Sequence, residues 1–133
     1  MYYPDVDACP RKPDLTQRLL ISGPVAEQLA EVFKVLANDT RLRMLHALAI
    51  RGELSVSALA DTVGMNTAAV SNQLQRLSLR GIVKSRRDGN TIFYRILDPC
   101  VLELLDRGLC LTEDANEGLP DESDRSALLT SAR

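Results

Sequence analysis

Three cysteines, Cys9, Cys100 and Cys110, are the residues of this chain best suited to chemistry. Their number is odd, and their spacings of 91 and 10 residues fit neither a disulfide scaffold nor a CxxC zinc ribbon. We expect unbridged thiols or metal ligands in a reducing cytoplasm. Two or three thiolates select soft, thiophilic ions such as Cd(II), Pb(II), Hg(II), As(III) or Zn(II). The alternative is that the cysteines are only small buried residues.

Enzymatic activity has little support in the remaining residues. The single histidine, His46, lies in mid-helix between Leu45 and Ala47, where a structural role is expected rather than a metal ligand. No Ser/His/Asp set has plausible spacing, there is no P-loop, and Gly89 has no glycine cluster around it. We therefore expect a protein that is not an enzyme.

Length and composition favour one folded domain. The chain has 133 residues, 45% of them hydrophobic, which is enough for a packed core. No apolar run approaches the roughly 20 residues that cross a bilayer, and the first residues do not resemble a signal peptide. We expect a cytoplasmic protein without a membrane partner.

The net charge of −2 hides a strong asymmetry along the chain. Counted by segment, residues 1–37 carry −1, residues 38–97 carry +5 and residues 98–133 carry −6. A basic centre between acidic flanks is typical of a small DNA-binding module, because only the surface that faces phosphate must be positive. A solvated charged face is the alternative.

Apolar periodicity predicts four helices in the first eighty residues. The first covers about 24–37, with one apolar stripe consisting of Val25, Leu29, Val32, Phe33 and Leu36. The second is capped within 38–40 and ends at Gly52, burying Leu42, Leu45, Leu48 and Ala49. Ser55 caps a third, Val56–Val63, and Asn66 or Thr67 caps a fourth that runs to about Arg80.

The third and fourth helices, with a four-residue turn, form a helix-turn-helix pattern. The exposed turns of the fourth helix carry short side chains that permit close approach to base edges and amides that can pair with adenine. Its predicted DNA contacts are Asn66, Thr67, Ala68, Ser71, Asn72, Gln73 and Arg76. A merely polar, solvent-facing helix surface is the alternative.

Strand propensity at 82–86 and 91–96 flanks a turn at 87–90 and predicts a β-hairpin. Its cations, Lys84, Arg86, Arg87 and Arg95, alternate with Val83, Ile92 and Ile96. One face can therefore be buried while the other meets phosphate. A charged edge strand that only guards against aggregation is the alternative.

The ends of the chain complete the predicted organisation. Residues 1–22 form an irregular N-terminal arm, 23–114 the DNA-binding and dimerisation domain, and 115–133 an acidic, disordered tail. Asp98 and Pro99 begin a last, strongly apolar helix. Such a helix exceeds what a small core can cover, so we expect a homodimer formed by the first and last helices.

Four ordered motifs between about 25 and 112 carry a family resemblance. They are FKVLANDTRLRML at 33–45, ELSVSALA at 53–60, VSNQLQRL at 70–77 and the hairpin at 81–94. Together they resemble the ArsR/SmtB family of bacterial metal-responsive repressors. The resemblance implies a mostly α, dimeric winged helix-turn-helix that binds double-stranded operator DNA.

The departures from the family pattern concern the inducer sites. Ser55 and Ser57 stand where many members have a C-x-C metal motif, and Gln73 stands where a histidine is usual. Where the family has D-x-H on the last helix, this chain has Asp98-Pro99-Cys100, and Cys110, Glu113 and Asp114 fall near the later ligand pair.

Helical spacing limits how the cysteines of the last helix can bind an ion. A separation of ten residues gives a rise of about 15 Å, so Cys100 and Cys110 cannot chelate one ion within a subunit. We expect Cys100 of one subunit to meet Cys110 of the other, with Cys9 as a third thiolate and Asp98 or Asp114 supplying oxygen.

The leading hypothesis is a repressor that such an ion releases from DNA. A thiol-redox or persulfide-sensing repressor of the same fold, an inducer-free DNA-binding module and a protein-interaction adaptor are the alternatives.

Overall fold

A computed structural model describes residues 13–117. After a short 3-10 helix at Leu15–Gln17, it contains five α-helices, α1 (Gly23–Leu36), α2 (Asp39–Arg51), α3 (Val56–Val63), α4 (Thr67–Leu79) and α5 (Pro99–Glu117). Three strands accompany them, β1 (Leu54–Ser55), β2 (Val83–Asp88) and β3 (Thr91–Ile96). The predicted winged helix-turn-helix is confirmed, whereas β1 was not predicted.

Short polar side chains begin the first four helices. Ser22, Asn38, Ser55 and Asn66 each accept a hydrogen bond from the backbone N–H three residues later, over 2.8 to 3.3 Å. Each bond satisfies one amide that the helix itself leaves without a partner. The caps predicted at 38–40, at Ser55 and at Asn66 or Thr67 are thus confirmed, the last at Asn66.

The core lies between the central helices and the sheet. Its fully buried side chains include Met44, Leu45, Leu48, Leu59, Val70, Leu74, Leu77, Val83 and Ile96. The prediction that Leu42 is buried is wrong, since it is 38% exposed. Leu42 lies about 120° around the helix from Leu48, and Met44 and Ala47 occupy the inner face instead.

The three strands form an antiparallel sheet in the order β1, β3, β2. Asp88 pairs with Thr91, which leaves a two-residue loop, and Gly89 at its first position has φ +63°. Glycine suits that position because the backbone there is left-handed. Of the apolar residues expected to be buried in the hairpin, Val83 and Ile96 are buried but Ile92 is exposed, which corrects that expectation.

The chain divides into two compact units after Leu102, so α5 begins in the first unit and continues in the second. Helix α5 continues three residues beyond the boundary expected at 114, and residues 118–133 lie outside the described part of the chain. Among the described residues, no helix is long and apolar enough to span a membrane.

Candidate nucleic-acid interface and thiol site

Helix α4 has the two faces that a recognition helix requires. Val70, Leu74 and Leu77 are fully buried against the domain. The rest of the helix surface carries the predicted DNA contacts, of which Asn66, Thr67, Ala68, Asn72 and Arg76 are exposed and Ser71 and Gln73 are half-buried. The left-handed Gly64 ends α3, and the Met65 amide donates to the Ala60 carbonyl (3.0 Å), which fixes the turn between the two helices.

Two of these amide side chains already have a partner within the protein. The Asn66 Oδ1 accepts from the Ala69 amide at 2.8 Å as the α4 cap, and the Gln73 Oε1 accepts from the Arg41 Nε at 2.6 Å. Bidentate pairing with adenine uses the carbonyl oxygen as an acceptor. The Asn72 side chain makes no hydrogen bond within residues 13–117, so it keeps both its oxygen and its amino group for a base edge.

Arg41 makes contacts that sequence reasoning missed. Besides Gln73, its guanidinium donates to the Val35 carbonyl at 2.9 Å, so one side chain joins the last turn of α1, the start of α2 and the recognition helix. The residues involved are up to 32 positions apart, and no local pattern reveals such a contact. The only available signal was that Gln73 departs from the family histidine.

The wing cations lie on two faces of the hairpin. Side chains alternate along a strand, and the pairing of Arg86 with Phe93 and of Lys84 with Arg95 places these four on one face. Arg87 pairs with Ile92 on the other face. The predicted phosphate contacts Lys84, Arg86 and Arg87 are therefore not on a single surface, although all three are exposed.

Arg86 is held by neighbours in the protein. Its Nε and NH2 groups donate to both oxygens of Glu53 over 2.6 to 3.0 Å, and its guanidinium lies 4.6 Å from the Phe93 ring centroid. The hydrogen bond from Arg86 is the main reason that the pKa of Glu53 is lowered from 4.5, with the positive charges of Arg86 and Arg95 contributing and partial burial opposing. Arg86 thereby braces β2 against the loop before β1, which sequence reasoning did not anticipate.

The predicted metal ligands are dispersed in a single subunit. Cys100, in the first turn of α5, is a half-buried thiol, Cys110 is an exposed one, and Cys9 lies outside the described residues. The Asp98 Oδ1 accepts from the Cys100 amide at 2.9 Å, and Asp114 is exposed. Within residues 13–117, no three His, Cys, Asp or Glu side chains are grouped closely enough to hold an ion.

The donor chemistry nevertheless fits a soft ion. Both described cysteines carry thiols, and one oxygen of Asp98 is engaged as a helix cap, which leaves sulfur as the principal donor type. Ser55, at the other family position, caps α3 and lies 3.4 Å from the Ser57 hydroxyl. Its oxygen therefore has a structural role. His46 is exposed.

A cationic cleft adjoins the recognition helix. It has a volume of about 260 Å³ and is lined by Lys34, Val35, Arg41, Arg76, Leu79 and Arg80. Only Arg76 among these residues was predicted to contact DNA. Lys34 and Arg80 both form ion pairs with Glu31, at 3.3 and 3.1 Å. The first pair lies within α1, and the second links α1 to the end of α4.

Comparison with known proteins agrees with this geometry. A family model described as "Helix-turn-helix domain" matches residues 36–86. The regulator KmtR of Mycobacterium tuberculosis is 41% identical over 92 residues, which are 69% of this chain and 70% of KmtR.

Two solved structures are also similar. The crystal structure of AntR, an antimony-specific transcriptional repressor, has a TM-score of 0.71 and 57% identity, covering 82% of this chain and 98% of AntR. A homodimeric winged helix-turn-helix DNA-binding domain from Mycobacterium bovis, named "a possible ArsR-family transcriptional regulator", has a TM-score of 0.67 and 32% identity, covering 81% of this chain and 99% of that domain. With its winged helix-turn-helix, polar recognition helix and basic hairpin, the chain belongs to the ArsR/SmtB family of DNA-binding transcriptional repressors.

Proposed function

We propose that this repressor binds a pseudo-palindromic operator as a homodimer and is released by a thiophilic metal or metalloid ion held by cysteines of α5. The proposal rests above all on a sequence in which sulfur replaces histidine near both ends of the family site on α5, at Cys100 and Cys110. AntR, to which this chain is 57% identical, is an antimony-specific repressor, which supports Sb(III) ahead of As(III), Cd(II), Pb(II), Hg(II) or Zn(II).

The apolar stripe of α1 supports the homodimer. Val25, Leu29, Val32 and Phe33 are 37 to 49% exposed in the single chain, although their spacing is that of a buried helix face. In the second unit, Leu109 and Leu111 are also exposed. Covering these side chains with a second copy removes apolar surface from water, which is the usual driving force of subunit association.

The operator contacts follow from the same arrangement. Exposed side chains of α4, with Asn72 foremost, read base edges in the major groove, while Lys84 and Arg87 of the wing contact phosphates. Two-fold symmetry places the recognition helices of the dimer on half-sites about one helical turn apart.

The inducer site is shared between subunits in this proposal. Cys100 of one subunit and Cys110 of the other supply thiolates, Cys9 of the N-terminal arm is the third, and Asp98 or Asp114 adds oxygen. When bound, the ion would supply a cross-link between the thiolates of the two subunits. Affinity for such an ion increases with pH, because a thiol must lose its proton to become a ligand.

Release from DNA tests the proposal directly. A labelled palindromic fragment from the gene's own upstream region is titrated with the wild-type protein, with and without Sb(III), As(III) or Cd(II), and binding is followed by fluorescence anisotropy. We expect one ion class to release the wild type, and Cys100→Ser or Cys110→Ser to abolish release while preserving DNA binding. Ser57→Ala is the matched control and is expected to respond like the wild type.

Three outcomes separate the alternatives. A Cys100→Ser protein that the same ion still releases refutes the site. Release by an oxidant or persulfide without any metal supports the redox-sensing alternative, for which the exposed Cys110 thiol is the relevant observation. An unchanged response in Cys9→Ser confines sensing to α5.

A further inference from the structure

The cationic cleft beside α4 has more cationic than anionic side chains around it. Four of its lining side chains are cations, Lys34, Arg41, Arg76 and Arg80, and the carboxylate beside them is that of Glu31. Glu31 must serve both Lys34 and Arg80, in pairs whose side chains are 43 to 73% exposed. Such exposed pairs are weak and are readily exchanged for other partners. The cleft therefore has excess positive charge.

Arg41 is the fixed part of the cleft. The two acceptors that hold its guanidinium, the Gln73 side-chain oxygen and the Val35 carbonyl, are both neutral. A guanidinium has five N–H donors, and these bonds use two of them. A half-buried cation with neutral partners gains more from a nearby anion than a fully hydrated cation does, because burial weakens screening by water. The orientation of Arg41 is thus set before any anion arrives.

The position of the cleft relates it to the DNA-reading surface. Gln73, Arg76 and Arg80 lie at i, i+3 and i+7 and share one stripe of α4. The helical rise places Arg76 about 6 Å and Arg80 about 12 Å beyond Asn72 along the helix axis. The major groove is about 12 Å wide, so a helix that reads bases near Asn72 brings residues one or two turns later to the bordering sugar-phosphate strand.

The apolar part of the lining fits the same ligand. Leu79, which is 87% exposed, and Val35 also line the cleft, so its lining combines aliphatic and cationic groups. A DNA strand presents apolar deoxyribose between its phosphates, and this sugar can contact the aliphatic side chains of the cleft. A free inorganic anion has no apolar group to make such a contact. Charge, apolar lining and location all match a nucleic-acid backbone.

We propose that the cleft formed by Lys34, Arg41, Arg76 and Arg80 seats a phosphate of the operator backbone at the edge of each half-site. This inference rests on the operator binding proposed above and extends it to α1 and to the end of α4. Glu31 holds Lys34 and Arg80 in place until the phosphate displaces it. Each dimer has two such clefts.

The salt dependence of operator binding tests this proposal. The double variant Lys34→Gln/Arg80→Gln changes two exposed side chains, and its fold is checked by circular dichroism. The slope of log affinity against log salt concentration is negative, and its magnitude falls by about 0.9 for each phosphate that the protein no longer neutralises. We therefore expect the magnitude to fall by about 2 for the two clefts of a dimer. Arg51→Gln, an exposed cation at the opposite end of α2 from Arg41, is the matched control and keeps the slope.

A variant that removes the negative charge beside the cleft should have the opposite effect on operator binding. Glu31→Gln removes the carboxylate that competes with the phosphate, so operator binding should tighten several-fold at low salt. Phosphate-ethylation interference should in addition show one flanking phosphate per half-site that matters to the wild type but not to the double variant.

Failure of the cleft proposal and failure of the proposed function give different results. If the wild type binds its operator and the double variant keeps both the slope and the interference pattern, the cleft proposal is overturned while the proposed function stands. The cleft proposal is likewise overturned if inorganic phosphate shifts the arginine Nε–H resonances of the cleft while the operator slope is unchanged, which identifies a free-anion site. If the wild type binds no cognate operator, the proposed function itself fails.

Discussion

The bidentate pair between Glu53 and Arg86 makes a measurable contribution to stability. Exposed ion pairs contribute about 0.2 to 1 kcal/mol, and bidentate, charge-assisted geometry lies at the upper end of that range or slightly above it. Here Glu53 is only 18% exposed, but the 52% exposure of Arg86 lets water screen the pair. We therefore expect Glu53→Gln to reduce the free energy of unfolding by about 1 kcal/mol at pH 7. For a chain of 133 residues, that loss corresponds to a decrease in Tm of about 4 °C.

The pH dependence of this effect follows from the lowered pKa of Glu53. Because the folded-state pKa lies below 4.5, the folded protein binds the Glu53 proton less tightly than the unfolded chain does. The stabilisation is thus fully present above about pH 4.5, and it is lost as pH falls through the folded-state pKa. The difference between Glu53→Gln and the wild type should consequently shrink in acid.

Urea unfolding at fixed protein concentration, at pH 7 and again below pH 4, measures both effects. Asp61→Asn, which changes an exposed carboxylate of α3 that has no ion pair among residues 13–117, is the matched control. A double-mutant cycle with Arg86→Met isolates the coupling of the pair. An equal loss at both pH values, or a coupling near zero, would show that Glu53 and Arg86 do not act as a unit.

Three further predictions concern DNA binding and assembly. Arg87→Ala should weaken binding to all sequences alike and decrease the salt slope by about 0.9 per subunit, as measured by anisotropy; a changed sequence preference with an intact slope would contradict its role. Asn72→Ala should cost about 1 to 3 kcal/mol on the cognate operator and little on random DNA, and an equal loss on both would remove it from base reading. Phe33→Glu places a charge in the α1 stripe and should shift sedimentation toward a monomer at micromolar concentration, whereas Glu27→Gln on α1 should not; an intact Phe33→Glu dimer would exclude the stripe from the interface.

Local signals in the sequence were enough for most of the fold. A cap such as Asn38 or Asn66 and the periodicity of Val70, Leu74 and Leu77 depend on residues within a few positions of one another, so they can be recognised without knowing the tertiary structure. The helix-turn-helix and the hairpin follow from such signals. The two-residue strand β1 does not, because it is defined by pairing with β3 almost forty residues later.

Three of the contacts that refine the candidate site are long-range. Arg41 with Gln73, Glu53 with Arg86, and Glu31 with Arg80 join residues separated by 32, 33 and 49 positions. Sequence reasoning assigned Gln73 and Arg86 to DNA by residue type, by their positions on the fourth helix and the hairpin, and by the family resemblance. It had no means of showing that each already has a partner in the protein. The same limit applies to the cleft, whose lining comes from three helices.

The hairpin register has a consequence for protein engineering. Arg86 and Arg87 are adjacent in the chain but lie on opposite faces of β2, and their spacing from the buried Val83 sets which face each one takes. Side chains along a strand alternate with a period of two, so inserting or deleting one residue between the buried Val83 and Arg86 would exchange the faces of the two arginines. The brace to Glu53 would then point away from its partner. Length changes in the wing should therefore be made in steps of two residues, whereas substitutions at the exposed tip leave the arginine faces unchanged.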